Sequence, residues 1–166
     1  RSSSSAASDV YKRQGFDNTC MNFTTKSHYA VNALADLEYL SAYDSPVSLK
    51  DISARQGINL TYLEQLFRKL RIAGIVRSVR GRKGGYVYAT SPKNITIKKI
   101  MEAVEENLDS TNCSGTSTCH FGNKCNSHKL WDDLNNVVDN FLSEISIIDL
   151  VEKPERPHII LKEIQS

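Results

Sequence analysis

The sequence has no apolar run of the roughly 18 residues that a membrane-spanning helix needs, so no membrane partner is expected. Its serine-rich start lacks the apolar h-region of a secretory signal. No glycine-rich phosphate loop follows a strand, and no Ser/His/Asp grouping stands out, so an enzyme is not expected. There is no internal repeat. Cysteine is scarce, four in 166 residues, and three of the four crowd into one segment. That usage suits metal binding in a reducing cytoplasm better than a disulfide framework.

What is present is an ordinary globular composition, 40% hydrophobic and 24% charged. The net charge of +2 hides an uneven distribution. Residues 21–100 carry 13 Lys/Arg against 5 Asp/Glu, and residues 101–166 carry 5 against 12. A basic half fused to an acidic half predicts that the first part meets a polyanion.

Residues 1–20 are set apart. Ser4 to Gln14 reads like a translated sequencing adapter, so a non-native, disordered extension is expected, with Met21 as the start and no role for Cys20. From Thr24 to about Ala42, Tyr29, Ala30, Ala33, Leu34, Leu37 and Leu40 recur at helical spacing. Ser48, with Asp51 three residues on, opens a short helix that Gly57 ends. Asn59 or Thr61 caps the next, Tyr62 to about Ala73, which Gly74 closes. Two helices joined by a short Gly-containing turn form a helix-turn-helix. Residues 75–80 and 86–89 then alternate as strands around the turn Gly81-Arg82-Lys83-Gly84-Gly85. A basic hairpin in that place is the wing of a winged helix. Thr96 caps a helix expected to run to about Glu106, and a long helix is expected from about Ser127 to Ile145.

Three constellations carry chemistry. A recognition helix reads bases from its N-terminal residues; here these are Thr61, Tyr62, Glu64 and Gln65, with Arg68 and Lys69 directed at phosphates. The wing adds Arg80, Arg82 and Lys83. A merely solvated basic face is the competing reading, but position and charge agree on double-stranded DNA. The second constellation is Cys113, Cys119, Cys125 and His128, in a small polar segment read as a loop. Structural zinc sites usually place paired thiolates two to four residues apart. Two five-residue gaps suit an iron–sulfur cluster better, whose ligands are spread. Spacing alone leaves a cluster, zinc and a redox thiol set open, with His120 as a rival ligand to His128. The third is the long helix. Leu130, Leu134, Val137, Val138, Phe141, Leu142 and Ile145 form a stripe too wide for a peripheral helix, so a homodimer through this face is expected.

These stretches together resemble a bacterial winged-helix regulator family, the one that holds the iron–sulfur cluster regulator IscR, the nitric-oxide sensor NsrR and the cysteine-metabolism repressor CymR. The resemblance runs through Lys26-Ser-His-Tyr29, Asp51 to Ile58, Tyr62-Leu-Glu-Gln-Leu-Phe67, Ser78-Val-Arg-Gly81 with Gly84-Gly-Tyr86, and the Cys113/Cys119/Cys125/His128 set. It covers about residues 21–151. It is strongest to the cluster-regulator branch. It implies a homodimeric regulator of cluster-assembly genes, with those four residues holding a 2Fe-2S cluster (4Fe-4S or zinc as alternatives) and with iron–sulfur assembly proteins as further partners. It places Glu64, Gln65 and Arg80 at base-contacting positions. The alternatives are a nitric-oxide- or redox-sensing repressor of the same family, or a zinc-stabilised winged-helix protein. The aspartate that completes the ligand set in the nitric-oxide branch is missing here, where His28 stands near that place. The expected fold class is mainly α: a winged helix-turn-helix over 21–95, a cluster loop and dimerisation helix over 96–151, and a tail from 152 to 166.

Overall fold

A computed structural model describes residues 23–41, 45–111, 116–118 and 120–152. The expectations for residues 1–20, for the tail beyond 152, and for Cys113 and Cys119 therefore lie outside the described residues.

Helix α1 (Thr25–Ser41) buries Ala30, Ala33, Leu34 and Leu37 on one face, the stripe its spacing predicts. Helix α2 (Leu49–Gln56) starts where the Ser48 hydroxyl accepts from the Lys50 amide. Helix α3 (Leu60–Ile72) starts where Asn59 Oδ1 accepts from the Tyr62 amide at 3.2 Å, so Asn59 rather than Thr61 is the cap. Its end is a Schellman motif. The Ile75 amide donates to the Leu70 carbonyl and the Gly74 amide to that of Arg71, both at 3.0 Å. Gly74 takes the left-handed φ of 72° that this closure requires.

Strands β1 (Val76–Val79) and β2 (Gly85–Tyr88) pair antiparallel, Val76 opposite Tyr88 and Val79 opposite Gly85. Val47 adds a bridge to the free edge of β2, exchanging backbone hydrogen bonds with Tyr86 at 3.0 and 2.8 Å. Gly85 permits that approach, because a Cβ there would lie 2.3 Å from the Val47 carbonyl oxygen. Tyr88 ties the wing to α1 by donating its hydroxyl to the Leu34 carbonyl at 2.6 Å. Phe67 meets Tyr86 edge-on at 5.0 Å. Asp36, buried on α1, takes both bonds from Arg55 Nε at 3.0 and 3.1 Å, fixing α2 against α1.

Helix α4 (Ile97–Ala103) is shorter than its sequence pattern suggests. The expected run to Glu106 stops because Glu105 turns to φ 59° and a second Schellman closure forms: Glu106 amide to Met101 carbonyl, Glu105 amide to Glu102 carbonyl, both 3.0 Å. Helix α5 (His128–Glu144) and the short α6 (Ile147–Glu152) complete the described residues.

One core runs through all of this. Phe67, Leu34, Leu63 and Leu70 are fully buried with Ile95, Ile100 and Ile147. Each such side chain contributes on the order of 1.5–3 kcal/mol by leaving water. The core does not stop at residue 95. The Ile97 amide donates to the Ile145 carbonyl and the Ile147 amide to that of Ile95, both at 2.9 Å, so the end of α5 is stitched into the winged helix.

Candidate nucleic-acid interface and ligand loop

The amphipathic cut of α3 decides which of its residues can read DNA. Leu63, Leu66, Phe67 and Leu70 face the core, which turns Thr61, Glu64, Gln65 and Arg68 to solvent. Tyr62 is half-buried and packs edge-on against Tyr29 at 6.0 Å, so its ring is a support as much as a contact. Lys69 lies between the faces, and its Nζ meets Glu105 Oε2 at 2.5 Å, so a phosphate would compete with that exposed carboxylate for it.

In the wing, Arg80, Arg82 and Lys83 are all exposed, and none of them pairs with a described carboxylate. A 420 Å³ groove lined by Ser48, Lys50, Glu64, Gly84 and Gly85 joins α3 to the wing. The groove brings the exposed N-terminal part of α3 and the base of the wing onto one surface. Fixed cations along it suit a phosphate backbone, with Glu64 and Gln65 at its centre able to accept from or donate to base edges.

The ligand loop is described in part. Cys125 is half-buried, and its carbonyl accepts from the His128 amide at 3.1 Å, across the first turn of α5. His128 is only 7% exposed, and its Nε2 lies 3.3 Å from the Ser117 hydroxyl across the loop. His120 is exposed and packs against Phe121 at 4.7 Å. It starts a tight turn in which His120 and Asn123 exchange backbone bonds at 2.9 and 2.8 Å, with Phe121 93% exposed at its tip. Among the described residues no three His, Cys, Asp or Glu side chains converge. The donor chemistry that is described fits a soft metal centre: a thiol and a buried imidazole one helical turn apart, the imidazole facing the loop. His120, by contrast, is exposed, and its ring contact is with Phe121.

A polar network missed by the sequence reading fastens the loop's first limb. Asp109 Oδ1 accepts from the Thr111 amide and hydroxyl and from Asn135 Nδ2, each at 2.7 Å. The Ser110 amide donates to Asn135 Oδ1 at 2.8 Å. Burial pushes the Asp109 carboxyl up, but bonds from Thr111 and Asn135, with His128 nearby, outweigh it and hold it below the usual carboxylate range. Just upstream, Glu106 is buried and accepts from the Thr24 amide at 3.1 Å and hydroxyl at 2.8 Å. Burial raises this carboxyl too, yet the Thr24 and Ser27 bonds prevail and lower it. Two adjacent acids at a helix C-terminus oppose the helix dipole. That mismatch was the available signal for a tertiary role.

The apolar stripe of α5 divides. Leu142 and Ile145 are buried in the chain's own core, so these two of the expected dimer residues are not open to a partner. Val138 and Phe141 pack partly against that core. Leu130 and Val137 are 63% and 65% exposed, with Leu134 and Trp131 beside them.

A helix-turn-helix carrying a basic two-stranded wing, with its reading helix exposed, defines a winged-helix DNA-binding protein. Residues 23–153 match the profile of the Rrf2 family, described as "Iron-dependent Transcriptional regulator". The chain belongs to the Rrf2 family of transcription regulators, not to an enzyme family. It is 49% identical over 135 residues to a putative HTH-type transcriptional regulator, ORF2, of Azotobacter vinelandii, covering 81% of this chain and 82% of that one. It is 47% identical over 131 residues to the HTH-type transcriptional regulator IscR of Aliivibrio salmonicida, covering 79% and 77%. Among solved structures, IscR of T. potens superposes with a TM-score of 0.66 at 34% identity, covering 81% of this chain and 88% of that one. No helix among the described residues is long and apolar enough to cross a membrane.

Proposed function

We propose that this chain is a dimeric operator-binding regulator whose DNA affinity follows iron–sulfur cluster supply, and that it controls genes for cluster assembly. Cys113, Cys119, Cys125 and His128 would hold a 2Fe-2S cluster. Bound there, such a cluster would supply iron–thiolate and iron–imidazole bonds that form only when iron and sulfide are available. The observation that carries the reading is the position of His128. It is buried, faces the loop, and begins the helix whose other end, Leu142 to Ile145, is packed into the winged-helix core.

The protein's own residues supply the rest. Thr61, Glu64 and Gln65 read bases, with Arg80 beside them; Arg68, Arg82 and Lys83 neutralise phosphates. Leu130, Trp131, Leu134 and Val137 form the surface for a second copy, which sets the spacing of two recognition helices on a two-fold operator. An apolar stripe left exposed among the described residues on one helix of a DNA reader supports that pairing.

The deciding experiment is anaerobic purification with iron, acid-labile sulfide and zinc analysis and a visible spectrum. A coloured protein with matched iron and sulfide is expected. A colourless protein with one stoichiometric zinc and no sulfide would overturn the cluster reading while leaving DNA binding intact.

A further inference from the structure

The turn between α4 and the ligand loop is anchored three ways. Glu105 occupies φ 59°, a region that residues other than Gly and Asn seldom adopt. Its side chain reaches Lys69 on α3 and its carbonyl accepts from Lys26 Nζ on α1 at 3.0 Å. Glu106, the next residue, is buried and bonded to Thr24. Three residues beyond Glu106, Asp109 accepts from Asn135 on α5, the Ser110 amide donates to Asn135, and the Thr111 amide donates to Asp109. Residues 105–111 therefore touch the recognition helix, α1 and α5, and they lead directly to Cys113.

Local forces do not select glutamate at 105. Glycine would suit the backbone better, and a basic residue would suit the helix dipole. Among the described residues its side chain pairs with Lys69. Its neighbour Glu106 is the fixed point, since moving it would unbury a carboxylate. Glu105 is exposed, and it can change partner without unburying anything.

We propose that Glu105 is the positioning residue through which the state of the ligand loop reaches the recognition helix, its bond to Lys69 setting how α3 seats against α4. This rests on the regulatory reading above, and it names the residue that the reading needs. A displacement of residues 107–111 pivots the turn about the buried Glu106 carboxylate, so it swings Glu105 and with it Lys69. Coupling of this kind is reciprocal: if the loop alters DNA affinity, DNA must alter the loop.

That reciprocity allows a test on full-length protein without cluster. The probe is a DNA duplex selected by the wild-type protein from a random pool. The readout is the alkylation rate of Cys113, Cys119 and Cys125, each followed by mass spectrometry, with and without saturating duplex. Wild type should show rates that DNA changes about tenfold, within the usual range of coupling. Glu105→Gly suits the left-handed turn, so it should fold and bind the duplex, but its thiol rates should differ with and without DNA by less than about twofold. The exchanged pair Glu105→Lys with Lys69→Glu should restore the dependence. Full DNA dependence in Glu105→Gly, or none in the exchanged pair, would overturn the assignment. A wild type whose thiols ignore DNA would overturn the regulatory reading itself, and is distinguishable because it is measured first.

Discussion

Glu106→Ala is the perturbation whose size can be worked out most directly. The Glu106 carboxylate is buried at the start of α1, accepting from the Thr24 amide at 3.1 Å and hydroxyl at 2.8 Å, with Ser27 also facing it. Hydrogen bonds to a charged acceptor are worth about 1.5–3 kcal/mol each before compensation. Thr24 is half-buried, so water replaces part of the loss after truncation. A net destabilisation of about 2 kcal/mol is expected, or a fall in Tm of about 4–8 °C for a chain of this size. Urea titration would show the same loss as a lower midpoint with an unchanged slope. The sign with pH follows from the lowered carboxyl. The folded-state pKa lies below the unfolded one, so the contribution is fully present above the unfolded value. It is lost as pH falls through the folded one. The gap between wild type and variant must therefore close in acid. A gap that persists unchanged at acid pH, or a variant within 0.5 kcal/mol or so at neutral pH, would refute the capping argument.

Gly85→Ala would drive a Cβ to 2.3 Å from the Val47 carbonyl oxygen, a backbone atom that cannot swing away; amide exchange at Tyr86 should accelerate and duplex affinity should fall. Arg82→Ala should weaken binding to all sequences alike and reduce the salt slope by about one, measured by fluorescence anisotropy across a salt series. Glu64→Ala should change base preference in a selection from random duplexes, and equal losses on every sequence would refute its readout role. Val137→Glu places a charge on the 65%-exposed part of α5 and should dissociate the proposed dimer in sedimentation, with a Tm that no longer rises with protein concentration; a variant that sediments as wild type does would refute the assigned surface.

Much of the reading half was legible because its signals are local. Ser48, Asn59 and Gly74 mark helix ends through bonds made within a few residues, and the alternation of 75–80 follows from the pleat. The stop of α4 at Ala103 was not legible, since Glu105 takes a conformation usually marked by glycine. An apolar stripe shows that a helix face is covered but not by what, and so Leu142 and Ile145 could not be told from Leu130 and Val137. The Glu106–Thr24 and Glu105–Lys69 contacts join residues 82 and 36 positions apart, beyond any pattern of spacing. The proposed ligand set is legible as chemistry, while Cys113 and Cys119 lie outside the described residues.

The stitch between Ile95–Ile97 and Ile145–Ile147 bears on modularity. Leu142, Ile145 and Ile147 fill the same interior as Ile100 and Phe67. Cutting the chain after residue 95 would take Ile100, Leu142 and Ile147 out of the core they share with Phe67 and remove two backbone bonds. The proposed DNA reader is therefore not expected to be portable: a fragment cut before α5 should lose cooperative unfolding, since the helix that His128 begins completes its core.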